Sequence, residues 1–229
     1  MTQATPTTAG SSPATAATHR AAATPRDRLL DAAAGLFYRE GVGIGVEALC
    51  REAGVSKRSM YQLFGSKDEV LAASLERGAP AYQSFLMPDA GAYAGADAGD
   101  RSPRARILYV FERLEELAER PDFHGCPFVS VTAELKAPDH PASLVARRCK
   151  DALTAFFRQE AERGGAADPE LLARELTVTF DGSGVRAVMQ GRGLDGLAVT
   201  MARALLDMAG LREEADTPPG TSASSETSG

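Results

Sequence analysis

The sequence predicts an all-α protein in two parts: an N-terminal unit of three short helices, then a larger helical unit. Three observations carry this reading. Apolar residues recur at spacings of three and four, as in Leu29, Ala33, Leu36 and Phe37 near the start and Leu197, Met201, Leu205 and Met208 near the end, which is the periodicity of a helix face. Capping residues stand directly before prolines (Thr24-Pro25, Ser102-Pro103, Asp168-Pro169), and glycines follow the periodic runs (Gly41, Gly54, Gly164-Gly165), the punctuation of helix starts and stops. No segment alternates strictly between apolar and polar residues, as a half-buried strand would, and no internal repeat is present.

Residues 1–24 are mostly Ala, Thr, Ser, Pro and Gly and cannot bury enough surface to offset chain entropy, so a disordered tail is expected. His19 and Arg20 at its end could reach a DNA minor groove, but a plain tail is the stronger expectation. The first helix opens with Thr24 as N-cap, Pro25 at the first helical position and Asp27 in the first turn, and stops at Gly41. Gly41, Gly43 and Gly45 imitate a nucleotide-binding loop but follow a helix rather than a strand, which rejects that reading. A second helix begins near Ile44 or Gly45 and buries Val46, Leu49, Cys50 and Ala53. Gly54 ends it where φ > 0 is needed, and Ser56 caps a third helix that opens on Lys57, Arg58 and Ser59. On that helix Met60, Leu63 and Phe64 are expected in the core, with Tyr61 along the edge. Ser66-Lys67-Asp68-Glu69 reads as a capping box, Glu69 reaching back to the Ser66 amide. It opens a fourth helix running to Arg77 or beyond, with Pro80 as a kink or an end.

Pro88 to Gly99 is a loop by composition. A helix starts at Ser102-Pro103, turns Ile107, Phe111, Leu114 and Ala118 to one side and stops at Pro121. A short helix follows from His124-Gly125-Cys126-Pro127, carrying Phe128, Val131, Thr132 and Leu135. After a turn between Pro138 and Pro141 comes a long helix with Val145, Cys149, Ala152 and Phe156. The next runs from Asp168-Pro169 through Gly182-Ser183-Gly184 towards Met189, with Leu172, Leu176 and Phe180 at helical spacing. Two glycines inside a helix cost roughly 1 kcal/mol each against alanine, tolerable if another helix packs closely there. The last helix is expected from Leu194 to Met208, and the polar residues from 213 onwards form a second tail. The domains expected are 25–70 and 71–212, between tails at 1–24 and 213–229.

A glycine turn, a capped second helix and cations in its first turn make a helix-turn-helix, a motif that places the second helix in the DNA major groove, N-terminus first. Lys57, Arg58, Ser59 and Gln62 have the right chemistry for base edges: Arg or Lys for guanine, Gln for adenine. Tyr61 can offer its hydroxyl to a phosphate, and Ser66-Lys67 at a helix N-terminus makes a phosphate clamp. The stretch GVSKRSMYQLFGSKDEVL resembles the DNA-binding domain of TetR-family transcriptional regulators, over roughly residues 26–75. The shorter stretch HGCPFVSVTAEL resembles the start of the ligand domain in a subgroup related to the LmrA and YxaF regulators. The resemblance implies a bacterial, all-helical homodimer that represses transcription from a palindromic operator until a small molecule binds its C-terminal domain. It also implies DNA contact at Gly45 and Ser56. Many members carry Ser or Thr near position 45, and glycine there leaves only a backbone amide for phosphate.

The same resemblance implies an effector cavity among Phe111, Leu114, Cys126, Phe128, Val131, Cys149, Leu153 and Phe156, an apolar set suited to a hydrophobic molecule, although ordinary core packing would give the same residues. It implies a dimer interface in the last two helices, at Leu176, Phe180, Leu197, Met201 and Leu205. Pairing also follows from recognition, since one helix reads too few bases for useful specificity.

Composition sets outer bounds. The net charge of −6 suits a DNA binder poorly until it is divided. Residues 20–76 carry eight basic and eight acidic side chains, 77–164 twelve and thirteen, and 165–229 five and ten. The acidity therefore lies mainly at the C-terminal end, and local clustering outweighs overall charge. No apolar run approaches the ~20 residues of a membrane span, and no secretory signal is evident, so a cytoplasmic protein is expected. Cys50, Cys126 and Cys149 lack disulfide or zinc spacing. His124, Cys126, Glu134, Asp139 and His140 hold ligand-type atoms within a short span but lack the paired spacing of a zinc site. No cofactor, metal or catalytic constellation is expected. An activator of the same family, or a helical metal-binding or enzymatic protein that no longer binds DNA, is the alternative.

Overall fold

The computed structural model describes residues 23–87 and 102–211, and the expectations for both tails and the 88–99 loop fall almost wholly outside them. Among the described residues every regular element is a helix: α1 Pro25–Glu40, α2 Val46–Ala53, α3 Lys57–Leu63, α4 Lys67–Leu86, α5 Pro103–Ala118, α6 Pro127–Leu135, α7 Pro141–Arg163, α8 Pro169–Gln190 and α9 Leu197–Met208.

Local chemistry starts most of them. Thr24 Oγ1 accepts from the Asp27 amide at 3.1 Å while Asp27 Oδ2 accepts from the Thr24 amide at 3.3 Å, a reciprocal box that satisfies two orphan donors of α1. Ser102 and Asp168 cap α5 and α8 through the amides of Ala105 and Leu171. His140 caps α7, its Nδ1 accepting from the Ala142 amide at 3.1 Å. Helix α4 does not end at Pro80 but continues to Leu86.

Four expectations need correction. Phe64 is buried, but its backbone is extended and it closes α3 rather than sharing a helix with Tyr61. Leu63, the last residue of α3, is 41% exposed rather than in the core. Glu69 accepts from the Gly65 amide at 2.8 Å, one residue before the expected Ser66. The last helix starts at Leu197, not Leu194: Asp195 and Gly196 take φ of 53° and 80°, a turn that breaks the helical run while leaving Leu194 buried. The start of α9 is capped from far away, the Glu115 carboxylate of α5 accepting from the amides of Gly196, Ala198 and Val199 at 2.6, 2.9 and 3.2 Å.

Two apolar cores result. The first joins α1–α4 to Phe128 and Val131 of α6 and to Ala142, Val145, Ala146 and Cys149 of α7. The N-terminal unit thus shares its core with the helices that follow. The second lies among α5, α7, α8 and α9. At its centre Phe111 stacks on Phe157 at 5.8 Å and meets Phe180 edge-on at 6.0 Å. Glu160 is buried at its edge, accepting from Arg106 at 2.9 Å and Arg163 at 2.5 Å, as a buried carboxylate requires.

Candidate nucleic-acid interface and ligand cavity

Helices α2 and α3 meet at Gly54, whose φ of 61° and ψ of 39° lie in the left-handed region. The Val55 amide returns to the Cys50 carbonyl at 3.0 Å, and Arg28 Nε of α1 donates to the Ala53 carbonyl at 3.1 Å. With the α2 C-terminus so satisfied, the chain turns sharply into α3. Ser56 Oγ accepts from the Ser59 amide at 3.0 Å, leaving the side chains of Lys57, Arg58, Tyr61 and Gln62 exposed along one ridge. Met60 and Phe64 on the opposite side anchor α3 to the core. Gly45 is the N-cap of α2, without a side-chain cap.

Lys57 is paired with the Glu47 carboxylate from the first turn of α2, both side chains being exposed. Their hydrogen bond is the main cause that holds the Glu47 carboxyl below its usual range and the Lys57 ammonium above its own. Glu47 did not stand out in the sequence, where it reads as an ordinary acidic first turn. Lys67 Nζ donates to the carbonyls of Val42 and Ile44 at 2.8 and 3.0 Å, tying the α1–α2 connection to the start of α4. The other face of that connection is held by Glu134 of α6, which accepts from the Val42 amide at 2.8 Å. Gly41 takes φ 82° and ψ 179°, and a Cβ there would come within 2.5 Å of the Glu134 carboxylate.

Of the expected effector residues, Phe111, Leu114 and Leu153 are buried in the second core, Phe156 lies at its margin, and Cys149 is buried in the first core. A cavity of about 380 Å³ lies between α1, α4, the end of α5 and α6, and Phe128 and Val131 of the expected set line it. Cys126 borders a smaller hollow of about 210 Å³ against α8. Burial is the main reason the Cys149 thiol is pushed up to about 11.

The expected pairing residues divide in the same way. Leu176 and Phe180 are 0% and 1% exposed, belonging to the core of the subunit itself. Leu197 and Met201 are exposed, and Leu205 is half-buried. On α8 the exposed apolar residues are Leu171, Val178, Val185, Val188 and Met189. Gly182 lies within that stripe with nothing near its absent Cβ, whereas Gly184 faces Leu114.

Of the five ligand-type residues around α6, Glu134 holds the Val42 amide and His140 caps α7, while the His124 ring meets Tyr38 edge-on with centroids 5.3 Å apart. Among the described residues no three His, Cys, Asp or Glu side chains gather as a metal site. No helix there is long and apolar enough to cross a membrane.

Comparison with known proteins matches residues 29–74 to the model for bacterial regulatory proteins of the tetR family. A TetR-type transcriptional regulator from Streptomyces avermitilis is 58% identical, over 82% of this chain and all of that one, with a TM-score of 0.76. A TetR-family transcriptional regulator from Streptomyces coelicolor, at 20% identity over 81% of this chain and 95% of its own, shares the fold with a TM-score of 0.69. So does the reduced form of Escherichia coli NemR, at 22% identity over 81% and 97%, with a TM-score of 0.63. No curated protein matches the chain.

Proposed function

Because this chain belongs to the TetR family of bacterial regulatory proteins, which regulate transcription by binding DNA and are not enzymes, we propose that it is a cytoplasmic homodimeric repressor that an effector releases from a palindromic operator. The observation that carries the reading is the ridge on α3, where Lys57, Arg58, Tyr61 and Gln62 stand exposed behind a capped, glycine-turned N-terminus. Residues 25–70 would form the DNA-binding unit and 71–212 the effector and dimerisation unit.

Dimerisation is supported by the apolar stripe of α8 and α9. An exposed glycine within a helix costs roughly 1 kcal/mol against alanine, and nothing inside the subunit approaches Gly182. A partner helix crossing there would use the space. Val178, Val185, Met189, Leu197, Met201 and Met208, all exposed, replace Leu176 and Phe180 as the pairing residues. A small hydrophobic effector fits the family. Membership of the LmrA and YxaF-related subgroup rests on the His124 to Leu135 stretch alone.

Selection of bound DNA from a random library by the purified protein, at about 0.15 M salt, tests this. An inverted repeat should emerge, with half-sites about one helical turn apart or a multiple of that. Recovery of no enriched sequence, from protein shown by mass spectrometry to carry no small molecule, would overturn the reading.

A further inference from the structure

We propose that the cavity between α1, α4 and α6 is the effector site, that it takes a flat aromatic molecule, neutral or singly anionic, and that it acts on the helix-turn-helix directly through α1 and α6. The inference rests on the regulatory reading above and adds the site, the chemistry and the route.

The wall is unusually aromatic. Phe37, Tyr38, Tyr82, Phe85, Phe123 and Phe128 line the cavity, six of the fourteen aromatic residues in the chain. The volume of about 380 Å³ is within the range of small-molecule sites, which runs from about 300 to 1,000 Å³. Rings set edge to face favour an aromatic guest over an aliphatic one of equal area, and Tyr82 and Phe128 already meet in that way, with centroids 5.3 Å apart. The wall includes Arg120 and no carboxylate. Arg120 is itself paired with Asp122 at 3.1 Å. An anion would therefore compete with Asp122 for the guanidinium at the rim, while a cation would find no carboxylate on the wall.

A glycine stands at the mouth of the cavity. Gly78 lies inside α4, borders the cavity and is exposed, with no atom near its absent Cβ. Packing within the subunit does not require glycine there, and its cost to the helix is roughly 1 kcal/mol. A bulky side chain there would obstruct the entrance.

The route to DNA is short. Ala34, Phe37 and Tyr38 form the α1 side of the cavity, and Phe128, Ser130 and Val131 the α6 side. The far end of α6 carries Glu134, which holds the Val42 amide, and the Val42 carbonyl holds Lys67. A guest that parts α1 from α6 pulls on this connection and so on the entry to α2 and α4. It can shift DNA affinity only by its own preference for one of the two arrangements.

Calorimetric titration of the full chain with 2-naphthol, 2-naphthoate, 2-naphthylmethylamine and decalin-2-carboxylate tests the site. The first two should bind once per chain, at least about 10-fold tighter than the amine and the saturated acid. G78F should lose this binding, whereas Gly78→Ala, which adds one methyl group in open space, should melt no lower than wild type and bind within about 3-fold. No binding by either naphthyl probe, equal binding of the amine or the saturated acid, or full binding by a folded G78F would overturn the proposal. On the operator selected above, the bound probe should weaken DNA binding in wild type at least about 5-fold, and in Glu134→Ala less than 2-fold. An equal response in both would overturn the route. Failure to select any operator counts against the regulatory reading, whereas an operator with an empty cavity counts against this site alone.

Discussion

Single side chains decide what the recognition ridge can do. Lys57 is not a free cation, because Glu47 already holds it, and DNA must compete with that carboxylate. If Lys57 holds a phosphate rather than a base edge, removing the charge by Glu47→Gln should raise affinity for all sequences and steepen the dependence of log K on log salt by about one phosphate contact. An unchanged slope in a fluorescence-anisotropy titration would remove Lys57 from the phosphate contacts. At the start of α1, the Thr24 hydrogen bonds are the main cause that lowers the Asp27 carboxyl below its usual value of 3.8. A group depressed in the fold adds stability that is fully present above its unfolded value and is lost as pH falls through its folded one. Asp27→Asn should therefore melt below wild type at pH 7 and approach it below pH 3.8, and a gap of constant size would contradict this. The Cys149 thiol, pushed up to about 11 by burial, should resist iodoacetamide at pH 8 in the folded protein and react once urea unfolds it, since the thiolate is the nucleophile.

Elements show which local signals sufficed and which did not. Thr24, Ser56, Ser66, Ser102 and Asp168 all cap the helices that follow them, because a cap and its amides lie within three residues. The start of α9 was misplaced because its cap, Glu115, lies 81 residues from Gly196, a distance no local pattern spans. The cavity was illegible for another reason. Apolar residues at helical spacing line solid cores and hollow ones alike, so Phe111 and Phe128 read the same in sequence although Phe128 lines the cavity and Phe111 lies buried in the second core. The two faces of α8 are likewise both apolar in sequence: Leu176 and Val178, about 200° apart around a helix, are one buried and the other 73% exposed. Gly41 joins the elements at a backbone geometry that is essentially glycine-only, with strain of order 1–3 kcal/mol for another residue. Gly41→Ala should thus lower unfolding free energy by about 2 kcal/mol or more in urea, since its methyl group also meets Glu134. A loss under about 0.5 kcal/mol would show that the connection yields.

At the scale of the whole molecule, the first core joins α1–α4 to α6 and α7 in one cluster. The recognition helices therefore cannot reorient without disturbing helices that line the cavity, which is the physical basis for the proposed link between effector and operator. The apolar stripe of α8 and α9 lies apart from that core, so the proposed pairing should be removable without unfolding the subunit. Gly182→Arg should give a folded monomer by sedimentation, with a far-ultraviolet spectrum like wild type, and its affinity for a full inverted repeat should fall to that for a single half-site. A dimer that survives the substitution would move the interface elsewhere.

The most direct test of the central claim, that α3 reads DNA sequence from its exposed ridge, is anisotropy titration of wild type and Arg58→Ala against the selected operator and a scrambled duplex. The variant should keep its affinity for the scrambled duplex within about 3-fold and lose about 1–3 kcal/mol of preference for the operator. Equal loss on both duplexes would mean that Arg58 only holds the backbone, and an unchanged preference would contradict the placing of this ridge in the groove.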